Sequence, residues 1–145
     1  MPYSNQRFAP VAELRSLQGK KAVPPSEHMI IVSRENKVTI SGLKEMAKKM
    51  FGNLIKAVVD IEREIMAVDG ELHSDEELLL IENGSKRVDV WGINLYPEYF
   101  KTDKFVEFDS MINIKPQLKN RSRGIDDEET KKKISEIVKK LIKQN

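Results

Sequence analysis

A chain of 145 residues with 39% hydrophobic and 33% charged residues can bury roughly two-thirds of its unfolded surface around one core. It has no cysteine, which excludes disulfides, thiolate metal sites and a cysteine nucleophile. Its formal charge of +2 comes from the first 28 residues, where Arg7, Arg15, Lys20 and Lys21 outnumber Glu13 and Glu27; the rest balances 21 basic against 21 acidic groups, which argues against a dedicated nucleic-acid binder.

Residues 1–28 contain Pro2, Pro10, Pro24 and Pro25, with only a hint of helical spacing at Val11, Leu14 and Leu17, and read as a flexible extension. No apolar segment resembles a secretion signal, and runs such as Leu78–Ile81 are far too short to cross a bilayer. The expectation is a cytoplasmic protein without a membrane partner. Patterning begins at Met29, so residues 29–145 form the predicted single domain. Met29 to Val32 is a short apolar run of strand type. Ser41 is placed to cap a helix whose stripe is Leu43, Met46, Ala47, Met50 and Phe51, with Gly52-Asn53 as its stop.

Lys56 to Val68 alternates at period two and reads as one long strand, followed by a turn at Asp69-Gly70. Ser74 to Glu77 has the form of a capping box for a short helix buried at Leu78 to Ile81 and ended by Gly84. Arg87 to Tyr96 and Phe105 to Ile114 read as strands stopped by Pro97 and Pro116. The last helix carries the stripe Ile134, Ile137, Val138, Leu141 and Ile142. Acids from Asp126 to Glu129 lie at its start and Lys139, Lys140 and Lys143 at its end, as the helix dipole favours. The predicted fold is α+β, in the order β-α-β-α-β-β-α. It has a mostly antiparallel sheet of three to four strands and about three helices.

Several blocks recur in order: Lys56-Ala57-Val58-Val59-Asp60-Ile61-Glu62, Gly70-Glu71-Leu72-His73, Trp91 to Pro97, Met111 to Ile114, and Asn120-Arg121-Ser122. Over about Met29 to Lys143 they resemble a small prokaryotic family of domains without an assigned activity. The resemblance carries over no catalytic residue. It implies that residues 1–28 precede the family's usual start. Asp69 stands where the family pattern has glycine.

Three constellations are candidates for chemistry. On a continuous strand, Asp60, Glu62 and Glu64 would project from one face about 7 Å apart. Together with Asp109 and Glu107 from a later strand they would suit Mg²⁺ or Mn²⁺. That set makes Asp60, Glu62 and Asp109 the candidate metal ligands, and adds His73 as ligand or base for catalysis. The bland reading of the same residues is a solvated acidic face. In the loop 115–124, Lys119, Arg121 and Arg123 precede a helix start and suit phosphate or RNA; the bland reading pairs the arginines with nearby acids. Asn94 and Asn113, polar on otherwise apolar strands, are either pocket residues or hydrogen-bonded core asparagines. Nucleophile-elbow, phosphate-loop, dinucleotide and zinc-ligand spacings are absent. The leading functional reading is a non-enzymatic binding or interaction module. The alternatives are a metal-assisted phosphoester-type hydrolase and an RNA- or phosphate-binding domain.

Overall fold

The computed structural model describes residues 28–144. Most of the predicted extension therefore lies outside the described residues. The elements are β1 (Ile30–Val32), β2 (Val38–Thr39), α1 (Ile40–Met50), β3 (Ile55–Asp60), β4 (Ile65–Gly70), α2 (His73–Glu82), β5 (Val90–Leu95), β6 (Val106–Glu107), α3 (Glu128–Leu141) and β7 (Ile142–Lys143). Five strands make one antiparallel sheet in the order β1-β4-β3-β5-β6. A second, two-stranded parallel pair joins β2 to β7. The fold is thus α+β, with more strands than the sequence suggested.

Both sheet faces are covered. On one face Ala57, Val59, Met66, Val68, Trp91, Ile93 and Leu95 pack with Leu43 and Ala47 of α1 and with Ile134, Ile137, Val138 and Leu141 of α3. On the other, Val58, Ala67 and Val90 pack with Leu79 and Leu80 of α2. The stripe of α3 is the one the sequence predicted, and Asp127 caps that helix by accepting from the Thr130 amide at 3.0 Å.

Five expectations about the turns, caps and helix faces are corrected. Lys56 to Val68 is a hairpin, because residues 61–64 form a turn. The buried Asp60 carboxylate nucleates it by accepting from the Glu62 and Arg63 amides at 2.8 and 3.0 Å. Gly70 ends β4 inside the sheet and is no turn residue; a bulge before it puts Asp69 at φ +72°. The cap of α1 is Thr39, whose hydroxyl accepts from Gly42 N at 2.9 Å, and Ser41 is already helical. There is no capping box at Ser74: α2 begins at His73, with Leu72 in the cap position two residues before Ser74, and Glu77 is buried against Arg87 at 3.1 Å. Leu78, expected inside, is exposed.

The two later strands are shorter than the sequence suggested. β5 starts at Val90 after a single 3₁₀ turn. Of Phe105 to Ile114 only Val106–Glu107 pairs with β5. The chain then leaves the sheet, and the side chain of Asn113 continues the ladder in place of a backbone. Its Oδ1 accepts from Gly92 N at 2.8 Å, and its Nδ2 donates to Gly92 O and Arg123 O, each at 3.0 Å.

Candidate functional site

On the face beneath α2, the antiparallel register lines up Gly70 of β4, Lys56 of β3, Asn94 of β5 and Glu107 of β6 in one cross-strand row. The bulge at Asp69 turns Gly70 to this face. A Cβ there would lie within 3 Å of Glu76 Cγ and Met29 Sδ, so glycine admits the Glu76 carboxyl. Glu76, wholly buried on α2, accepts from Gly70 N through Oε2 at 2.8 Å, and its Oε1 has no partner. Burial pushes its pKa well above the usual carboxylate range, opposed by the Gly70 amide and by the positive charge of Lys56.

At the other end of the row, Asn94 Nδ2 donates to Glu107 Oε1 at 2.9 Å, and Tyr96 OH donates to the same oxygen at 2.8 Å. The carboxylate fixes which end of the amide faces it, and Asn94 Oδ1 is left buried and unpartnered. Three buried side-chain polar atoms lack a partner among the described residues, and two of them belong to this row and its roof.

His73, one turn before Glu76, lies over the neighbouring Gly92, where a Cβ would strike Ser110 and crowd the imidazole. Its Nε2 donates to the Ile93 carbonyl at 2.8 Å, which fixes the tautomer and leaves the lone pair on Nδ1. Burial lowers its pKa below the ordinary value against the pull of that carbonyl; Lys56, Asp109 and Arg123 supply the nearby charges. The structure thus brings His73, Asn94 and Asp109 into one neighbourhood.

It does not bring Asp60 or Glu62 there. Asp60 sits four strand positions from Lys56, roughly 13 Å along β3. Its second oxygen accepts from Ser85 Oγ at 2.5 Å, so one oxygen is committed to the turn and the other to Ser85. Glu62 lies in the turn itself, exposed, and Glu64 is paired with Arg34 and Lys140. Asp109 accepts from Arg123 Nε at 2.6 Å. Among the described residues no three His, Asp or Glu side chains converge on a point. The predicted shared strand face for Asp60, Glu62 and Asp109 is therefore corrected, since turn and strand separate them.

The loop 115–124 is a stapled structure. Asn120 Nδ2 donates to Asn113 O and Gly124 O at 2.8 and 2.7 Å, and its Oδ1 accepts from Asp126 N at 2.8 Å. Lys115 is buried, with Nζ donating to Ile112 O at 3.1 Å and lying 5.2 Å from the centre of the Trp91 ring. Of the three anion candidates, Arg123 is taken by Asp109, whereas Lys119 and Arg121 are exposed. Asn113, a pocket candidate, has its amide satisfied in the ladder.

On the opposite face, between α3 and the segment 100–108, opens a groove of about 750 Å³. Phe100, Phe105, Val106, Phe108, Val138 and Ile142 give it an apolar lining; Lys101 and Lys139 outnumber Asp103 along it. The Lys101 ammonium lies 6.0 Å from the centre of Phe100, and that of Lys131 lies 5.7 Å from Phe108.

Glu76, Lys56 and the groove were not singled out in the sequence. For Glu76 a signal existed: His73, Glu76, Glu77 and Leu80 recur at helical spacing, which puts the first acid on the stripe of a buried leucine. For the groove the signal was the cluster Phe100, Phe105 and Phe108 interleaved with Lys101 and Lys104.

Residues 30–141 match the model of a family described as a protein of unknown function (DUF5674). No curated protein and no solved structure matches the chain.

Proposed function

We propose that this chain, which belongs to the DUF5674 family of proteins of unknown function, is a non-enzymatic interaction domain that docks a partner's apolar, acid-flanked peptide segment in the groove between α3 and residues 100–108. The observation that carries this reading is the pairing of an apolar floor with a cationic rim. Phe105, Val138 and Ile142 form the buried part of the floor, while Phe100, Val106 and Phe108 stay half-buried and offer area to a ligand. Lys101 and Lys139 outnumber the single acid of the lining, Asp103, and Lys131 lies over its Phe108 ring. Aromatic floors supply contact area, and charge at the rim selects the partner and speeds its encounter. The groove also borders β6, an edge strand of two residues whose outer side is unpaired within the sheet. The dispersal of Asp60, Glu62 and Asp109 takes support from the hydrolase alternative, and the loss of Arg123 to Asp109 weakens the phosphate reading.

Selection from a displayed random-peptide library tests this. Enriched sequences should combine aliphatic or aromatic residues with Asp or Glu. Their affinity should fall at least tenfold in a Lys101→Glu/Lys139→Glu variant, whose changes are at exposed positions and spare the core. Peptides enriched without acids, or binding that ignores the charge reversal, would overturn the reading.

A further inference from the structure

We propose that the groove between α3 and residues 100–108 takes the outer face of α2 from a second copy of this chain, so that molecules associate head to tail. The inference rests on the docking reading above and names its partner. Within α2, Ser74, Leu78 and Glu82 recur every four residues and share one exposed stripe, and Glu71 and Leu72 are exposed just before the helix. Leu72 and Leu78 are 52% and 49% exposed, whereas the adjacent Leu79 and Leu80 are buried. Glu71, Asp75 and Glu82 flank these two leucines in the chain, and α2 contains no Lys or Arg. None of the three acids makes an ion pair among the described residues. The outer face of α2 is thus apolar and flanked by unpaired acids, which is the composition the groove selects.

The groove has the inverse charge. Phe100, Val106 and Phe108 are half-buried, and neither Lys101 nor Lys139 makes an ion pair among the described residues. Like patches do not match: two grooves would set lysine against lysine, and two α2 faces acid against acid. Groove against α2 matches in both charge and apolarity. The two patches lie on opposite faces of the sheet, because α2 covers Val58, Ala67 and Val90 while the groove lies on the side of α3. Neither can therefore fill the other within one chain, and two copies cannot make the contact twice across a twofold axis. The association is heterologous and extends to a ring or an open chain. A contact made by one helix of 10 residues belongs to the small, transient class, so dilute protein is monomeric and its β6 edge is uncovered.

Sedimentation of the whole protein from micromolar to millimolar concentration tests this. At low salt the average mass should rise past that of a dimer, and added salt should lower it. Two charge-reversed variants change exposed positions alone: Lys101→Glu/Lys139→Glu in the groove and Glu71→Lys/Glu82→Lys at α2. Each sets like charges against each other and should stay monomeric over the same range. Their equimolar mixture restores opposite charges at every contact and should associate. Leu78→Ser leaves the charges in place and should weaken association at least tenfold. A wild type that stays monomeric, a mass that stops at the dimer, or a mixture no more associated than its two components would overturn the proposal. In that event, library peptides that still carry acids and still respond to the groove reversal would leave the docking reading standing with a different partner. Peptides that ignore the reversal would sink both.

Discussion

Glu76 makes the protein's stability depend on pH in a direction opposite to that of a surface carboxylate. In the unfolded chain it releases its proton near the ordinary 4.5, and in the folded chain only at higher pH, because burial penalises the charge. Above 4.5 the native state therefore holds more protons than the unfolded state, and stability falls as pH rises until the folded group has titrated. Glu76→Gln, which resembles the protonated acid, should remove this slope. Urea unfolding between pH 4 and 8 should show the variant gaining on the wild type as pH rises; a gap that stays constant would place the loss elsewhere. Asp69 is the second residue-scale case. It occupies φ +72° without being glycine, and burial also raises its pKa. Asp69→Gly removes the Cβ from this left-handed conformation and should stabilise the fold by about 1 kcal/mol in the same assay. At this scale the sequence was only partly legible. His73 bonds the Ile93 carbonyl beside Asn94 and feels the charge of Asp109, but this neighbourhood comes from the packing of α2 on the sheet, which single residues do not reveal. Glu76 was overlooked because an acid near a helix start is ordinarily a solvated partner of the dipole.

The helices were the most legible elements and the strands the least. The stripe of α3 predicted its buried residues correctly, so Leu141→Ala, at a site only 1% exposed, should cost about 2–5 kcal/mol in equilibrium unfolding. A cost under half a unit would mean that the helix is held by something other than its core. The strand from Lys56 to Val68 misled because alternation continued through a turn. Val58 and Asp60 share a face with Ile65 and Ala67, so the parity inverts across residues 61–64, and the three consecutive charges Glu62-Arg63-Glu64 were the cue to the break. Phe105 to Ile114 misled for another reason. Its alternation is genuine, but after Glu107 the pairing partner of β5 is an amide side chain. Asn113→Ala would leave both backbone groups of the buried Gly92 without those bonds, at a cost of about 3 kcal/mol. A change below 1 kcal/mol would show that the ladder there is dispensable.

For the molecule as a whole, the sheet order sets where the structure yields. β3 lies at the centre, hydrogen-bonded to β4 and β5, and its residues Ala57, Val58 and Val59 are fully buried under helices on both faces. β1 and β6 are the two edges, three and two residues long, and β7 pairs only with β2. Opening an edge breaks few ladder bonds, whereas freeing the amides of β3 requires parting both neighbours and both cores. Native-state hydrogen exchange under increasing denaturant should therefore place Ala57 to Val59 and Ile93 in the slowest class, with the stability of global unfolding. The amides of β6 and of residues 100–104 should exchange by local opening at low denaturant. The order matters for the groove, because one of its walls is this weak edge. A wall that opens locally can adjust to a docked segment without disturbing the sheet centre, and binding should then raise protection at β6 far more than at β3. Equal protection of β6 and β3 in the free protein would mean that the edge is already covered, as in a self-association through the same groove.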